Sequence, residues 1–167
     1  VPAGSKSAYL ASSVWKNFSN IREDSEIVDG YKFEVGGIFY KIISASDKTV
    51  EVTFKGESFN EYADEYKGEV VIPAAVSYSN ISFSVTAIGV SAFNGCAGVT
   101  SVEIPESVTS IKLLAFNDCS GLVSVVLNCS TPPNALASSF NTYETTVLTV
   151  PAGSKSAYLA SSVWKNF

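Results

Sequence analysis

One pattern of apolar residues is written twice within residues 85–127, at an interval of 23 residues. The first copy begins VTAIGVSAFNGCAGVTSVEIP and the second VTSIKLLAFNDCSGLVSVVLN. In register, Val85 meets Val108, Ile88 meets Ile111, Phe93 meets Phe116, Cys96 meets Cys119, Gly98 meets Gly121, Val102 meets Val125 and Ile104 meets Leu127. A period of this length with its apolar residues in phase is the mark of a solenoid, whose single turns bury little and whose stacked turns share one core. Val99, Val102 and Ile104, like Leu122, Val125 and Leu127, have the spacing of a short strand between bends. Ala92-Phe93 and Ala115-Phe116 belong to the returning arm, where Ala leaves room for Phe to reach the core. Cys96 and Cys119 then lie one above the other as small buried hydrophobes, a vertical disulfide being the alternative, while Cys129 falls near a strand end at a more exposed place.

The flanks repeat the theme more loosely. Val70-Val-Ile-Pro73 has the strand-then-proline shape of VEIP at 102–105 and LTVP at 148–151, and reads as a degenerate first rung. Residues 78–85 add a strand or short hairpin arm feeding into the repeats. After Pro132-Pro133, residues 134–147 carry Phe140 on the return arm and otherwise read as a protrusion. Upstream, residues 31–56 read as a β-hairpin: Gly36-Gly37 is a bulge or tight bend, and TVEVTF at 49–54 alternates with Val50, Val52 and Phe54 inward and Glu51 and Thr53 outward. An isolated hairpin is marginal, so its apolar face must bury against the open first rung. The acidic loop 57–68 carries Phe59, Tyr62 and Tyr66 and is either a recognition surface or a loop pinned by its aromatics.

Residues 1–18, VPAGSKSAYLASSVWKNF, recur unchanged at 150–167. Identity at surface-type positions exceeds what packing requires; it fits tandem units spaced by 149 residues, or a duplicated boundary. Locally each copy reads as strand end, turn and a short helix capped by Ser154 and running to about Val163, with Tyr158, Val163, Trp164 and Phe167 as a lid over the last rung or as an aromatic ligand platform. Residues 19–30 read as an acidic linker; Glu23, Asp24, Glu26 and Asp29 lack the spacing of a calcium loop.

Charge and composition narrow the functions. A net charge of -5 disfavours nucleic acid and anionic membranes as partners. Of the 16 carboxylates, 12 precede residue 85, so the repeats take their polarity from Ser, Thr and Asn. No stretch is long and apolar enough for a membrane span. The chain begins Val-Pro and contains no Met, as a processed product or an excised piece does. Zero histidines removes the commonest general base and zinc ligand, no Ser sits in a nucleophile motif, and no cofactor is expected. Glu61, Asp64 and Glu65 are the remaining carboxylates for a polysaccharide-acting enzyme, a remote alternative because a loop holds two groups poorly at fixed separation.

The residues Ile88-Gly89, Ala92-Phe93, Cys96 and Gly98 through Pro105, their second copy at 111–127, and the terminal VPAGSKSAY…W…F closely resemble the BspA-like leucine-rich-repeat family of bacterial (Bacteroides-type) cell-surface proteins. The resemblance implies a secreted or surface location and a role in adhesion; its motif is a packing motif that carries no catalytic or binding residues. The expected fold is mainly β with short helices: a leucine-rich-repeat solenoid of few rungs, preceded by a β-hairpin region and ending in a short helical cap. The expected divisions are 1–27, the end of a preceding unit plus linker; 28–68, hairpin and loop; and 69–167, the solenoid with its cap. The expected function is non-enzymatic recognition or adhesion by a tandem-unit surface protein, with a structural spacer as the alternative. Candidate surface residues are Thr100, Ser101, Glu103, Ser124 and Asn128, joined by Tyr62 and Tyr66 of the acidic loop. Expected partners are a host or neighbouring-cell surface protein or glycan and adjacent units of the same protein, without nucleic acid or membrane insertion.

Overall fold

Parallel strand pairing carries the repeat. In the computed structural model, which describes residues 1, 4–18, 21, 27–61 and 64–167, the elements run α1 (Lys6–Ala11), β1 (Lys32–Val35), β2 (Ile38–Ser44), β3 (Thr49–Thr53), β4 (Gly68–Val71), β5 (Ala75–Tyr78) and β6 (Ile81–Ile88). They continue with β7 (Val99–Ile104), β8 (Ser110–Ile111), β9 (Ser124–Leu127), β10 (Asn134–Ala135), β11 (Val147–Thr149) and α2 (Lys155–Ala160). Among the described residues these strands form two sheets, one ordered β1-β2-β3-β6-β8-β10 with β5 beside β6, the other β11-β9-β7-β4. From β6 onward the chain alternates between the sheets, one strand in each per repeat, and the 23-residue register appears directly as Ile88 opposite Ile111, Val102 opposite Val125 and Ile104 opposite Leu127. The protein is thus mainly β, with two short α-helices among the described residues.

Between the sheets stands a column of aromatic rings. Phe93 and Phe116 stack with centroids 4.9 Å apart and planes 5° from parallel; Phe116 and Phe140 follow at 4.8 Å and 10°. Tyr66 closes one end, 4.6 Å from Phe93, and Trp164 the other, 5.6 Å from Phe140. The stacking distance is set by strand spacing: equivalent residues on paired strands sit about 4.8 Å apart, which is also a good ring separation. Glycine at the repeat position after the turn serves the same close stacking. A Cβ on Gly121 would lie 2.2 Å from the Ala97 carbonyl oxygen of the rung before it.

The N-terminal strands depart from the expected hairpin. Of the two readings of Gly36-Gly37 the tight bend is the one found: the pair is the whole two-residue turn between β1 and β2, with φ of +63° and +82°. Two consecutive positive φ values define the mirror-image turn whose twist suits paired strands, and glycine adopts it without strain. Three antiparallel strands therefore stand where two were expected, and β3 pairs in parallel with β6, which joins them to the repeats through Val52 opposite Ile88. Val50 and Val52 are buried as predicted, but Glu51 and Thr53 are buried too. Glu51 accepts from Lys41 at 2.5 Å and from Lys112 at 2.6 Å, so its outward face is closed by a strand on one side and the second repeat on the other. That pairing also requires Gly89, where a Cβ would lie 2.7 Å from the Val52 carbonyl oxygen and 3.1 Å from the Glu51 carboxyl carbon.

Two further expectations are corrected. Residues 134–147 do not protrude: β10 pairs with β8, Phe140 bridges to Phe116, and buried Thr146 donates its hydroxyl to the Leu122 carbonyl. Ser154 precedes α2 but does not cap it with its side chain; its hydroxyl donates to the Pro151 carbonyl at 2.7 Å, and the helix ends at Ala160. A 3-10 turn at Trp164–Asn166 follows, burying Trp164, with its indole N–H donating to Pro133 O at 2.8 Å and Tyr158 OH donating to Cys129 O at 2.7 Å. One buried cluster runs from Phe33 to Trp164.

Because Phe116 has a ring on each side and is fully buried, Phe116→Ala is expected to lower unfolding free energy by about 3–5 kcal/mol. Removing exposed Leu113 should cost less than about 0.5 kcal/mol. Urea titration of both variants checks the contrast, and equal losses would show that the column does not carry the core.

Candidate functional site

The outer face of the four-stranded sheet is where the repeat places equivalent polar side chains side by side. Strand alternation turns Val70, Val102, Val125 and Leu148 inward and leaves their neighbours outward. Register then produces two rows: Glu69, Ser101, Ser124 and Val147, and next to it Val71, Glu103, Val126 and Thr149. The two rows hold two carboxylates and no cation. Asn128, just past β9, donates to the Glu103 carboxylate at 2.8 Å, and exposed Thr100 lies one residue before the first row. Ser101, Glu103, Ser124 and Asn128 thus come together on one surface, while Thr100 is exposed where the β4–β7 register shifts, two residues before inward Val102. Glu69, Val71, Val147 and Thr149 complete it and were not singled out from the sequence. Their signal was present in the alignment of VVIP with VEIP and LTVP, whose second position becomes Val71, Glu103 and Thr149.

Tyr66 does not join this surface. Its side chain is 3% exposed, its hydroxyl donates to Thr53 O at 2.6 Å and accepts from Phe39 N–H at 3.0 Å, and its ring ends the aromatic column. Burial pushes its phenol well above the ordinary range. A ring that closes the end of a stack offers no free face. Tyr62 lies outside the described residues, as do Glu23, Asp24 and Glu26 of the linker.

The loop carboxylates are engaged as backbone acceptors. Glu61 accepts from Glu57 N–H at 2.8 Å, Glu65 from Lys55 N–H at 2.9 Å, and Asp64 from Gly98 N–H at 2.8 Å. The Gly98 amide, helped by Lys67, holds the Asp64 carboxyl below its usual range, while burial raises that of Glu65. The carboxylates pin the loop to itself and to the first repeat, and each has a structural partner. A trough of about 640 Å³ runs between β11 and α2, lined by residues 146–153 with Tyr158, Leu159, Trp164 and Phe167, and Lys155 is its charged residue. Among the described residues no group of three or more His, Cys, Asp or Glu side chains is placed to hold a metal ion.

All three cysteines are free and buried, Cys129 included, which corrects the more exposed position expected of it. Cys119 donates to Phe93 O at 3.0 Å, and Cys129 to Pro105 O at 3.3 Å. Burial pushes Cys119 up to about 12 and Cys129 to about 11, from an ordinary 9.0. Tyr40, buried in β2, likewise rises to about 12 from 10.0. The folded state holds these protons more tightly than the unfolded chain. Their contribution is therefore intact below about pH 9 and is lost as pH climbs toward 11–12. Melting temperature is expected to fall steadily above about pH 9. An aromatic disulfide reagent at pH 8 should label none of the thiols until denaturant is added. Rapid labelling of the native protein would contradict their burial.

The family profile described as a BspA type leucine rich repeat region of six copies matches residues 74–162 of this chain. Among solved structures, the chain is similar to a leucine-rich repeat protein from Bacteroides ovatus, with 35% identity over 59% of this chain and 23% of that one and a TM-score of 0.47. It is similar to a leucine rich cell surface protein from Faecalibacterium prausnitzii at 28% identity, over 66% of this chain and 26% of that one, with a TM-score of 0.46. A leucine-rich repeat protein from Bacteroides capillosus matches at 23% identity, over 72% of this chain and 99% of that one, with a TM-score of 0.48. The chain spans about a quarter of the length of the first two. No curated protein sequence matches it. Among the described residues no helix is long and apolar enough to cross a membrane. With its repeats matched over more than half its length, the chain belongs to the BspA-type leucine-rich-repeat family.

Proposed function

We propose that this chain is a non-enzymatic recognition module of a bacterial surface or secreted protein, binding a protein or glycan of a host or neighbouring cell through the outer face of the four-stranded sheet. The observation that carries the reading is the register. It sets Glu69, Ser101 and Ser124 in one row and Glu103 beside Val126 and Thr149 in the next, giving a periodic array of hydroxyls and carboxylates interrupted by exposed valines. Such an array offers hydrogen-bond acceptors and donors at the strand spacing, with apolar contacts between them, on a scaffold that does not move. Membership of the BspA-type leucine-rich-repeat family supports the location.

In the same reading the alternation between sheets is a short solenoid, the antiparallel strands of 28–68 close its first turn, and α2 with the Trp164 turn caps its last, while 1–27 belongs to the end of another unit. The engagement of Glu61, Asp64 and Glu65 in backbone hydrogen bonds supports a binding role over polysaccharide hydrolysis. A spacer without its own ligand is the second reading, favoured by the 18-residue duplication, since repeated units build length whether or not each binds.

Binding of the purified chain to immobilised matrix proteins, mucins and glycans tests both. Saturable binding is expected. The double substitution Glu103→Arg with Ser124→Trp should weaken it by about tenfold or more while leaving the melting temperature within a few degrees. Unchanged affinity would rule out this face, and silence across the panel would favour the spacer.

A further inference from the structure

The two copies of the 18-residue segment share one local conformation over residues 4–18 and 153–167 and meet different environments. Residues 6–11 and 155–160 are both helical, and 3-10 turns follow at Trp15–Asn17 and Trp164–Asn166. Gly4 and Gly153 both take positive φ, +75° and +85°. Ser12 Oγ accepts from Val14 and Trp15 N–H as Ser161 Oγ does from Val163 and Trp164. Even the rings agree: Tyr9 and Trp15 meet edge-on at 5.9 Å and 65°, Tyr158 and Trp164 at 5.9 Å and 70°. What differs is cover. Trp164 is 2% exposed and Val163 8%, whereas Trp15 is 48% exposed and Val14 63%. Phe18, 58% exposed, adds to the exposed face of the first copy, whereas its counterpart Phe167 is half-buried.

The surface that fits this face is defined by the second copy. It consists of the Cys129 carbonyl, which accepts from Tyr158 OH; the Pro133 carbonyl, which accepts from the Trp164 indole; and the rings of Phe140 and Tyr143, which meet Phe167 at 5.2 and 4.9 Å. Identical sequence in identical conformation presents the same donors and the same rings.

We infer that residues 1–18 are a preformed docking element whose partner is the last rung, residues 129–143, of a second copy of this unit. Because the segment already holds its bound conformation, docking orders little that is not ordered beforehand. The contact joins the start of one unit to the end of another, so it is head-to-tail and open-ended, suited to building arrays. In the intact chain the attached second copy competes. A tethered segment acts at an effective concentration of about millimolar or more, so exchange between separate wild-type molecules is minor at micromolar protein. The inference does not depend on what the outer sheet face binds.

The test weakens the attached copy alone. In the full chain, Trp164→Ala removes the indole from the last rung, weakening that segment's hold by about a hundredfold or more, and leaves Trp15 intact. Sedimentation velocity from about 10 μM to 1 mM should then show concentration-dependent oligomers, and the double variant Trp15→Ala, Trp164→Ala should remain monomeric. A Trp164→Ala chain that stays monomeric throughout, or a double variant that assembles equally, overturns the inference. Should Trp164→Ala unfold, a peptide of residues 1–18 supplied in excess is expected to restore its melting transition where the Trp15→Ala peptide does not. Failure of both peptides, or equal rescue by both, overturns it as well.

Discussion

The structure depends on the coincidence between the spacing of hydrogen-bonded strands and the thickness of stacked aromatic rings. Parallel pairing sets Phe93, Phe116 and Phe140 at intervals of 4.8–4.9 Å, and at that separation flat rings are in contact without strain on the ladder. Backbone pairing and side-chain stacking therefore reinforce one another, and each rung is the template for the next. The same geometry explains the glycines at 98 and 121. Gly121 leaves room for the Ala97 carbonyl, and at Gly98 the open space admits the Asp64 carboxylate instead, which is how the acidic loop is fastened to the first repeat.

A column of this kind has two open ends, and both are closed by residues from outside the regular repeat. Tyr66, from the loop after β3, covers Phe93, and its hydroxyl is satisfied by the backbone of β2 and β3. Trp164 and Phe167 cover Phe140 at the other end, with the indole and Tyr158 satisfied by rung carbonyls. At each end a bulky ring brings its own polar tip, and the tip finds an acceptor or donor that the ladder would otherwise leave unpaired. The aromatic column is thereby covered at both ends, and the outer polar rows lie on the far side of strands whose inward residues pack on one buried cluster.

Much of this was legible beforehand because it rests on periodicity. The strand positions of both repeats, the inward Val, Ile and Phe residues, the degenerate rung at Val70–Pro73 and the buried Cys96 and Cys119 all follow from apolar residues recurring in phase. Three of the surface candidates, Ser101, Glu103 and Ser124, were readable as the alternate positions of those strands. What periodicity could not reach were the residues whose partners lie far along the chain. Glu51 looked outward-facing because its strand alternates, yet Lys41 and Lys112 close over it from two sides. Tyr66 read either as part of a recognition surface or as a pin for its acidic loop; it is the pin, and what the sequence did not tell is that its ring ends the stack at Phe93. Ser91 and Leu114 both take positive φ, +55°, at the same repeat position, a kink no leucine announces.

The duplicated terminal segment separates the two contributions most clearly. Its 18 residues by themselves determined a backbone: a glycine at positive φ, six helical residues, a serine accepting the amides of the next turn, and an aromatic cluster folded on itself, reproduced at both ends of the chain. These are local interactions, spanning a few residues, and the same letters make them wherever they occur. Whether the cluster is buried was decided only by tertiary structure, because burial needs Phe140 and the carbonyls of Cys129 and Pro133, which the second copy meets and the first does not.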